Sequence, residues 1–441
     1  MYVVALVLVV AVLPLFAGGG QGQPSGGAAA PGKTEIRAAW WGDTKRHELY
    51  NQIIDEFQKV NPDITVVREP TSFNDYWDKL SVQVAGGNAP DFLCMHPRFA
   101  ADYIPRGVCE VLDPYIADGT LSTKGWAQSV IDAGKYEGKI YMMAMGVTFN
   151  ACFINLGAFK ELGVTPPGFE WSWEDLKRIG IQIRAALDRQ GKKTTWMIND
   201  LTIDADFNAF RYFVRERGRE QYNADGSIGF TQKDIEDWFA MFKEFRDLGI
   251  IPDAATSIEY FSNVLEDSLF GRDKVFLRYI PVNQFWLYNS TFPNKELGIV
   301  RQSGSAGNMR PGEFPEGAHF AANAKSVPAR KLAAVKLINF WVNDPKSLVL
   351  FKLDQGVPGN ADQVQKAVMP VLDQYQLAAV NFVNTLSKIT TSSPNPPIGA
   401  SEIAQEYLKA AQEVAFGAKT PAVAAKEFYD RAVAIRTNAN K

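Results

Sequence analysis

Beyond residue 35, the apolar positions of the chain switch from the two-residue period of a strand to the period of a helix. Residues 35–41 are typical of a strand that ends in two tryptophans. After Gly42, a helix is predicted that Asp43 or Thr44 can cap. Its apolar stripe consists of Leu49, Ile53, Ile54, Phe57 and Val60.

The same alternation continues to residue 95. Residues 64–67 predict a second strand, a helix capped by Ser72 follows, and Gly86-Gly87 is a typical helix end. Residues 91–95 predict a third strand. The order strand-helix-strand-helix-strand predicts an α/β fold with a mostly parallel sheet.

The pattern then becomes less regular. Residues 134–139 form a turn-rich hairpin candidate. Residues 140–154 form a long apolar run broken by Gly146, which indicates a segment that crosses between domains. A helix capped by Ser172 follows, and a strand over residues 275–287 leads into an aromatic loop. Further helices are predicted at 231–248, 329–342, 402–415 and 421–437.

The amino terminus has a different pattern, in which residues 3–17 are almost wholly apolar. The run is shorter than the about 20 residues that a membrane-spanning helix needs, so residues 1–17 are predicted to be a signal peptide. Residues 18–34 are predicted to be a flexible linker. No Lys or Arg precedes the run, and Gly19 stands where a lipid-bearing cysteine would be. Cleavage after Ala17 and retention as an anchor both stay open, and export is predicted in either case.

Composition narrows the class of partner. The chain has 46% hydrophobic residues, 46 basic and 49 acidic residues, and a net charge of -3. Without a basic excess to neutralise phosphates, nucleic acid is not expected as a partner. Aromatic residues make up 12% of the chain. Most are expected in the core, although exposed aromatic planes also stack on sugar rings.

The numbers of cysteines and histidines limit the redox and metal chemistry that is expected of the chain. Three cysteines are an odd number, so at least one thiol stays free or pairs between chains. Cys94 and Cys152 lie in apolar runs and are expected to be buried. The three histidines are far apart in sequence and no CxxC or HExxH motif occurs, so neither a metal site nor a cofactor is expected.

Taken in order, several segments resemble the extracellular solute-binding proteins of bacterial ABC sugar importers, the maltodextrin-binding-like family 1. The resemblance covers roughly residues 36–389. Within the family, Trp40-Trp41-Gly42 followed by Arg46-His47 resembles the branch that includes oligogalacturonide binders. The segments that carry it are 40–42, 85–91, 138–141, 153–163, 173–176, 333–345 and 356–358.

The resemblance implies a two-lobe periplasmic-binding-protein type II fold, with each lobe a mostly parallel sheet flanked by helices and a ligand cleft between the lobes. Lobe 1 is expected at residues 35–146 and 320–365, and lobe 2 at 147–319 and 366–441. It implies a non-catalytic, monomeric protein that is periplasmic or attached to the outer face of the cytoplasmic membrane. The expected partners are an oligosaccharide, captured by hinge closure, and an ABC permease.

Candidate ligand-binding residues of lobe 1 follow its strands, where ligands sit in open α/β sheets. Trp40 and Trp41 alternate faces, so one is expected in the core and the other is free to stack on a sugar. The alternative role for Asp43 is to cap the helix that follows, and the alternative role for Phe73 is to act as a hydrophobic staple at the start of the next helix. The full set is Trp40, Trp41, Asp43, Arg46, His47, Phe73, Asn74, His96 and Arg98.

The remaining candidates lie on the crossing segment and in lobe 2. Thr148 and Asn150 lie on the crossing strand, which faces the cleft in the family. The lobe 2 candidates are Trp171, Asn199, Arg211, Arg278, Tyr279, Asn283 and Trp286. His319 is expected to be structural.

Two questions stay open from sequence alone. Arg46, Arg98, Arg211 and Arg278 can supply positive charge for a uronate, but Pro97 stands where relatives that bind maltodextrin carry Asp. Acidic and neutral oligosaccharides both remain candidates. The alternative function is a secreted glycosidase or polysaccharide lyase, since 49 acidic residues always contain some suitable carboxylate pair. A two-lobe binder of a peptide or metal is disfavoured.

Overall fold

The computed structural model describes residues 32–203, 208–259, 265–304 and 310–439, without the side chains of Asn74 and Arg98. The predicted signal peptide and residues 18–31 of the predicted linker lie outside the described residues. Thr34, the last residue of that linker, already belongs to the first strand.

The predicted strand-helix-strand-helix-strand order is confirmed. Strand β1 (Thr34–Trp41) is followed by helix α1 (Thr44–Val60), β2 (Ile64–Thr71), α2 (Phe73–Ala85) and β3 (Phe92–Met95). Asp43 is the N-cap of α1, where its carboxylate accepts the backbone N–H of Arg46 at 2.9 Å. Ser72 caps α2 in the same way.

The crossing segment is divided into short strands. The predicted hairpin is confirmed as β4 (Lys135–Tyr136) and β5 (Lys139–Ile140), and β6 (Met143–Ala144) and β7 (Asn150–Asn155) follow. The remaining described strands are β8 (Leu277–Pro281), β9 (Leu297–Val300) and β10 (His319–Ala322).

Two main sheets are present in the described residues. The first has the order β2-β1-β3-β10-β6, in which β1 pairs in parallel with β2 and β3, while β10 is antiparallel to β3 and β6. The second, β8-β7-β9, is antiparallel throughout, with one parallel bridge from Ile198 to Leu277. The expectation of mostly parallel pairing in both lobes therefore fails for the second sheet. Apolar periodicity defines the two faces of a strand, but it does not define the strand's direction.

Helices flank both sheets. Ser172 caps α7 in a reciprocal capping box with Asp175, as the sequence indicates. The aromatic loop predicted after β8 is wrong, because these residues form a 3-10 turn, Val282–Gln284, and then a helix. The helices after α2 are α3 (Pro97–Tyr103), α4 (Asp113–Ala117), α5 (Gln128–Asp132), α6 (Leu156–Leu162), α7 (Trp173–Arg189), α8 (Asn208–Glu216), α9 (Gln232–Asp247), α10 (Ala254–Glu259), α11 (Phe285–Thr291), α12 (Pro328–Asn343), α13 (Pro345–Phe351), α14 (Ala361–Gln363), α15 (Gln374–Leu386), α16 (Ala400–Ala415) and α17 (Pro421–Ala439).

The buried side chains form three clusters. The first core lies around the first sheet and takes its residues from 36–145 and 318–351. The second lies on one face of β7, with α7, α9, α16 and α17. The third lies on the other face of β7, with α11 and α15. All three cysteines are free and buried, in agreement with the expectation for Cys94 and Cys152.

Three glycines lie where the chain passes between the first core and the other two. Val147 pairs with Val357, and Thr148 pairs with Glu316. A Cβ on Gly146 would lie 2.7 Å from the carbonyl of Gly356, and a Cβ on Gly317 would lie 2.1 Å from the carbonyl oxygen of Gly146. The crossing segments therefore touch backbone to backbone, which only glycine permits.

Candidate functional site

A cavity of about 880 Å³ lies between the first and second cores. His96 and Pro97 line it from the first core, and Gly146, Val147 and the segment 314–317 line it from the crossing chains. The second core contributes Arg211, the loop 220–226 and the segment 392–398. The volume falls within the roughly 300–1,000 Å³ that small-molecule sites occupy.

The crossing chains bring a carboxylate to the cavity. Glu316 Oε1 accepts Asn150 Nδ2 at 3.0 Å and also the hydroxyl of Tyr212. Asn150 Nδ2 contacts the Tyr212 hydroxyl as well, at 3.0 Å. Burial and the neighbouring Glu316 raise the pKa of Tyr212 well above its usual value, so this hydroxyl stays protonated. The carboxylate is thus held in a fixed orientation by two donors.

Arg211 forms the opposite part of the lining, and its Nε and Nη2 are turned towards the protein. Its Nη2 donates to Ser393 Oγ at 2.6 Å and to the Pro394 carbonyl at 3.0 Å. Its guanidinium carbon lies 3.9 Å from the centre of the Phe314 ring. Burial lowers the pKa of Arg211, although the nearby Glu316 partly opposes this. Arg211 therefore fixes the segment around Ser393 against the crossing chain.

Glu220, which also lines the cavity, links Ser393 to two further arginines. It accepts Ser393 Oγ at 2.9 Å, pairs with Arg310 at 2.5 Å, and forms an ion pair with the fully buried Arg215. Arg215 also donates to the carbonyl of Thr391 at 3.0 Å. The segment 391–394 is therefore held by charged groups of α8 and its following loop.

Two buried polar atoms of lining residues have no hydrogen-bond partner. They are the hydroxyl of Tyr222 and Nε2 of His319, whose residues are 2% and 3% exposed. His319 Nδ1 lies 3.1 Å from the carbonyl oxygen of Gly317. Because a carbonyl can only accept, Nδ1 carries the proton and Nε2 presents a lone pair. Burial, with a smaller effect of His96, lowers the pKa of His319 to about 4.

One contact joins the two sides of the cavity. Asn395 Nδ2 donates to the carbonyl oxygen of Lys135 at 3.2 Å. Lys135 belongs to the hairpin β4–β5, while Asn395 belongs to the proline-rich segment between α15 and α16. The neighbouring Tyr136 is half-buried and also lines the cavity.

The predicted aromatic residues at the end of β1 are buried. Trp40 is 0% exposed and donates its indole N–H to His47 Nδ1 at 3.2 Å. Trp41 packs edge-on against Phe73, with ring centres 5.5 Å apart. Phe73 is partly exposed, and its ring centre lies 6.4 Å from that of His96. Phe73 therefore adjoins a lining residue, while Trp40 lies within the first core.

The predicted polar residues of lobe 1 have mixed positions. Asp43 caps α1, and Arg46 pairs with Asp354 at 2.8 Å, an interaction that the Tyr50 hydroxyl supports at 3.1 Å. His96 lines the cavity. The side chains of Asn74 and Arg98 lie outside the described part of the chain, so both stay predictions.

The predicted residues on and beside the crossing segment are linked to one another. Thr148 Oγ1 donates to Asn283 Oδ1 at 3.0 Å, and Asn283 Nδ2 donates to the carbonyl of Asp354 at 3.2 Å. Asn150 holds Glu316, as described above. These three side chains therefore join crossing chains to each other beside the cavity.

The other predicted lobe 2 residues are not among the cavity lining. Trp171 is 1% exposed and donates to the carbonyl of Arg301 at 2.7 Å. Tyr279 contacts the hydroxyl of Ser303 at 2.5 Å. Asn199, Arg278 and Trp286 are half-buried and lie outside the lining.

Several lining residues were not foreseen. Glu316, Tyr222, Phe314 and the segment 392–398 follow no strand with a clear apolar pattern. The cluster of prolines in Pro394-Asn395-Pro396-Pro397 was the one available signal, because a proline-rich ordered loop often has a specific position. His319 lines the cavity although the sequence favoured a structural role.

Neither a membrane-spanning helix nor a metal cluster is found in the described ranges. No helix between residues 32 and 439, apart from the gaps given above, is both long and apolar enough to cross a bilayer. In those same ranges no group of three His, Cys, Asp or Glu side chains could hold a metal ion.

Comparison with known proteins gives one family and several distant relatives. The family described as bacterial extracellular solute-binding protein matches residues 52–375. A binding protein of Brucella abortus is 23% identical over 233 residues, 52% of this chain and 54% of that protein. The chain thus spans about half the length of the first curated relatives it matches. The maltotriose-binding protein of Pyrococcus abyssi is 23% identical over 72% of this chain and 64% of its own.

Solved structures share the fold. The periplasmic oligogalacturonide-binding protein of Yersinia enterocolitica, in complex with saturated digalacturonic acid, superposes with a TM-score of 0.76. It is 19% identical, and the match covers 92% of this chain and 100% of that chain. The two-lobe α/β fold class is therefore confirmed.

Proposed function

The chain belongs to the bacterial extracellular solute-binding proteins, and from that premise we propose that it is the substrate-binding component of an ABC importer for an oligosaccharide. It captures the sugar between its lobes and passes it unaltered to a membrane permease. The single observation that carries this proposal is the cavity of about 880 Å³ between the first and second cores, crossed by several chain segments.

The chemistry of the cavity suits a sugar. Sugar hydroxyls both donate and accept, and the lining offers the Glu316 carboxylate, the Tyr222 hydroxyl and the amide oxygen of Asn395. The half-buried ring of Tyr136 offers a flat face for the C–H side of a sugar ring. Relatives whose names state maltotriose and oligogalacturonide as ligands support the same class.

The boundaries of the lobes that we propose are based on the hydrophobic cores. Residues 35–146 and 320–365 form lobe 1, and residues 147–319 and 366–441 form lobe 2. The first core supports this division, but the third core draws Leu353, Val357 and Val364 from the segment assigned to lobe 1. The second boundary of lobe 1 therefore belongs close to Phe351, where the first core ends.

Location and partners follow from the family. We propose that residues 1–17 direct export, that the mature protein is a monomer outside the cytoplasmic membrane, and that the partner is an ABC permease. A family of binding proteins supports a non-catalytic role.

Calorimetry on the full mature chain tests the proposal. Oligosaccharide mixtures released from plant and bacterial polysaccharides are titrated, and the same mixtures are then assayed for new reducing ends and unsaturated products. The expected result is saturable binding without turnover. Turnover would establish the alternative, a glycosidase or lyase, and absence of binding to every saccharide would refute a sugar-binding function.

A further inference from the structure

We propose that the cavity selects neutral, hydroxyl-rich oligosaccharides and discriminates against uronates. This inference rests on the proposed function and adds the charge class of the ligand. It is carried by the positions of the arginines, the charges of the lining, and two buried polar atoms without partners.

Arg46 and Arg211, two of the arginines that the sequence offers for a uronate, are held by the protein, and Arg278 does not line the cavity. Arg46 is paired with Asp354 at 2.8 Å and does not line the cavity. Arg211 does line it, but Nε and Nη2 are both directed to Ser393 and its ring contact is with Phe314. A carboxylate that pairs side-on with a guanidinium needs both Nε and Nη2, and in Arg211 these two nitrogens already donate to Ser393.

Carboxylates outnumber cations among the described lining residues, although Glu220 is itself paired with Arg215 and Arg310. Among its described residues, five are carboxylates and three are Lys or Arg. The carboxylates are Asp132, Glu137, Glu220, Asp225 and Glu316, and the cations are Lys135, Arg211 and Arg436.

Each of those three cations already has a protein partner. Lys135 pairs with Asp132 at 2.7 Å, and Arg436 donates to the carbonyl oxygen of Gly226 at 2.7 Å. Arg211 donates to Ser393 and faces Glu316, as described above. The described lining therefore holds no cation without a protein partner for a carboxylate that a ligand brings in, and the Glu316 carboxylate would repel it in a partly desolvated space.

The two buried atoms without partners match hydroxyl groups. His319 Nε2 presents a lone pair, so it can accept a sugar O–H but repels a carboxylate. The Tyr222 hydroxyl can donate to or accept from a sugar hydroxyl. A buried polar group without a partner is costly, and a ligand that satisfies it recovers that cost as affinity. Both residues line the cavity from different sides, Tyr222 in lobe 2 and His319 at the crossing chains.

The first arm of the test compares ligand charge at fixed length. Xylotriose, cellotriose, maltotriose and trigalacturonate are titrated into the full mature chain, alongside the oligosaccharide mixtures described above. At least one neutral saccharide is expected to bind about 100-fold more tightly than trigalacturonate, and its affinity should not change as salt rises from about 0.05 to 0.5 M. Tighter binding of trigalacturonate would overturn this inference and leave the proposed function standing. Failure of every saccharide to bind would overturn the proposed function itself.

The second arm uses substitutions that keep the fold. Tyr222→Phe removes a hydroxyl that has no protein partner, so the midpoint of thermal unfolding should not fall, while affinity for the neutral ligand should fall about tenfold. Tyr288→Phe is the control, since Tyr288 is also buried but lies in the third core. Equal affinities for both variants would contradict the role of Tyr222.

Two substitutions of His319 form a matched pair of variants. Asn in its place retains a donor for the Gly317 carbonyl but lacks the distal acceptor, whereas Gln retains an acceptor at the distal position. We expect about tenfold weaker binding for His319→Asn and partial recovery for His319→Gln. If the two variants bind alike, Nε2 is not a ligand contact.

Discussion

Asn395 and Lys135 form a hydrogen bond across the cavity, in which Asn395 Nδ2 donates to the Lys135 carbonyl oxygen at 3.2 Å. Under the proposed function, in which the lobes close on a ligand, a contact between the two sides favours the closed state. We predict that Asn395→Ala weakens ligand binding about fivefold, because one net hydrogen bond contributes about 1 kcal/mol. The change should appear as faster dissociation in stopped-flow tryptophan fluorescence. Asn384→Ala, at an exposed position of α15, is the control, and an unaltered dissociation rate for Asn395→Ala would exclude this role.

The close backbone contact between Gly317 and Gly146 predicts a large difference in stability between two Gly→Ala substitutions. Gly317 has φ +150°, and a Cβ there would lie 2.1 Å from the carbonyl oxygen of Gly146. Gly107 also has positive φ, +67°, but nothing lies within 4 Å of its Cβ position. We expect Gly317→Ala to lower the free energy of unfolding by about 3 kcal/mol or more, and Gly107→Ala by about 1 kcal/mol. Urea denaturation measures both, and equal losses would contradict the close backbone contact.

Glu216 predicts a pH dependence of stability. Burial, together with a smaller effect of Glu313, raises its pKa to about 8, although Trp173 Nε1 donates to it at 2.7 Å. The unfolded chain releases this proton near pH 4.5, so between about pH 4.5 and 8 the folded state binds more protons. Stability should therefore fall as pH rises through that window.

The Glu216→Gln variant checks this prediction. It keeps an acceptor for Trp173 and cannot ionise. We expect it to match the parent near pH 5 and to be more stable by several kcal/mol at pH 8.5, as measured by urea denaturation at each pH. Parallel pH profiles for the two proteins would show that Glu216 ionises normally.

The ion pair of Arg46 with Asp354 predicts a role in stability. Each side chain is less than a quarter exposed, and Tyr50 also donates to Asp354. Arg46→Ala leaves that carboxylate partly buried without its cation, so we expect a loss of about 2 kcal/mol in unfolding free energy. Lys59→Ala, which breaks the exposed pair with Glu56, should have no measurable effect. Ligand affinity should be unchanged in both variants, and a specific loss of affinity in Arg46→Ala would place Arg46 in the site.

Local elements of the fold were predictable because their determinants are close in sequence. The cap at Asp43, the capping box of Ser172 with Asp175 and the hairpin at residues 135–140 each depend on a few adjacent side chains. The antiparallel second sheet was not predictable, since its strands are contributed by separate parts of the chain.

The candidate site was less predictable for the same reason. Arg46 follows the end of a strand, where ligand residues are expected, but it pairs with Asp354, which lies 308 positions away. Glu316 and His319 reach the cavity because their segments cross between cores, which no local pattern records. Distant partners therefore decide whether a polar residue near a strand end faces a ligand or another part of the protein.

Strand β10 is an interior strand of the first sheet, between β3 and β6, although it is contributed by residues 319–322. A growing chain that has not reached residue 322 leaves the inner edges of β3 and β6 bare. Such a long-range pairing makes folding slow and keeps the amino-terminal part from collapsing into a finished domain during synthesis.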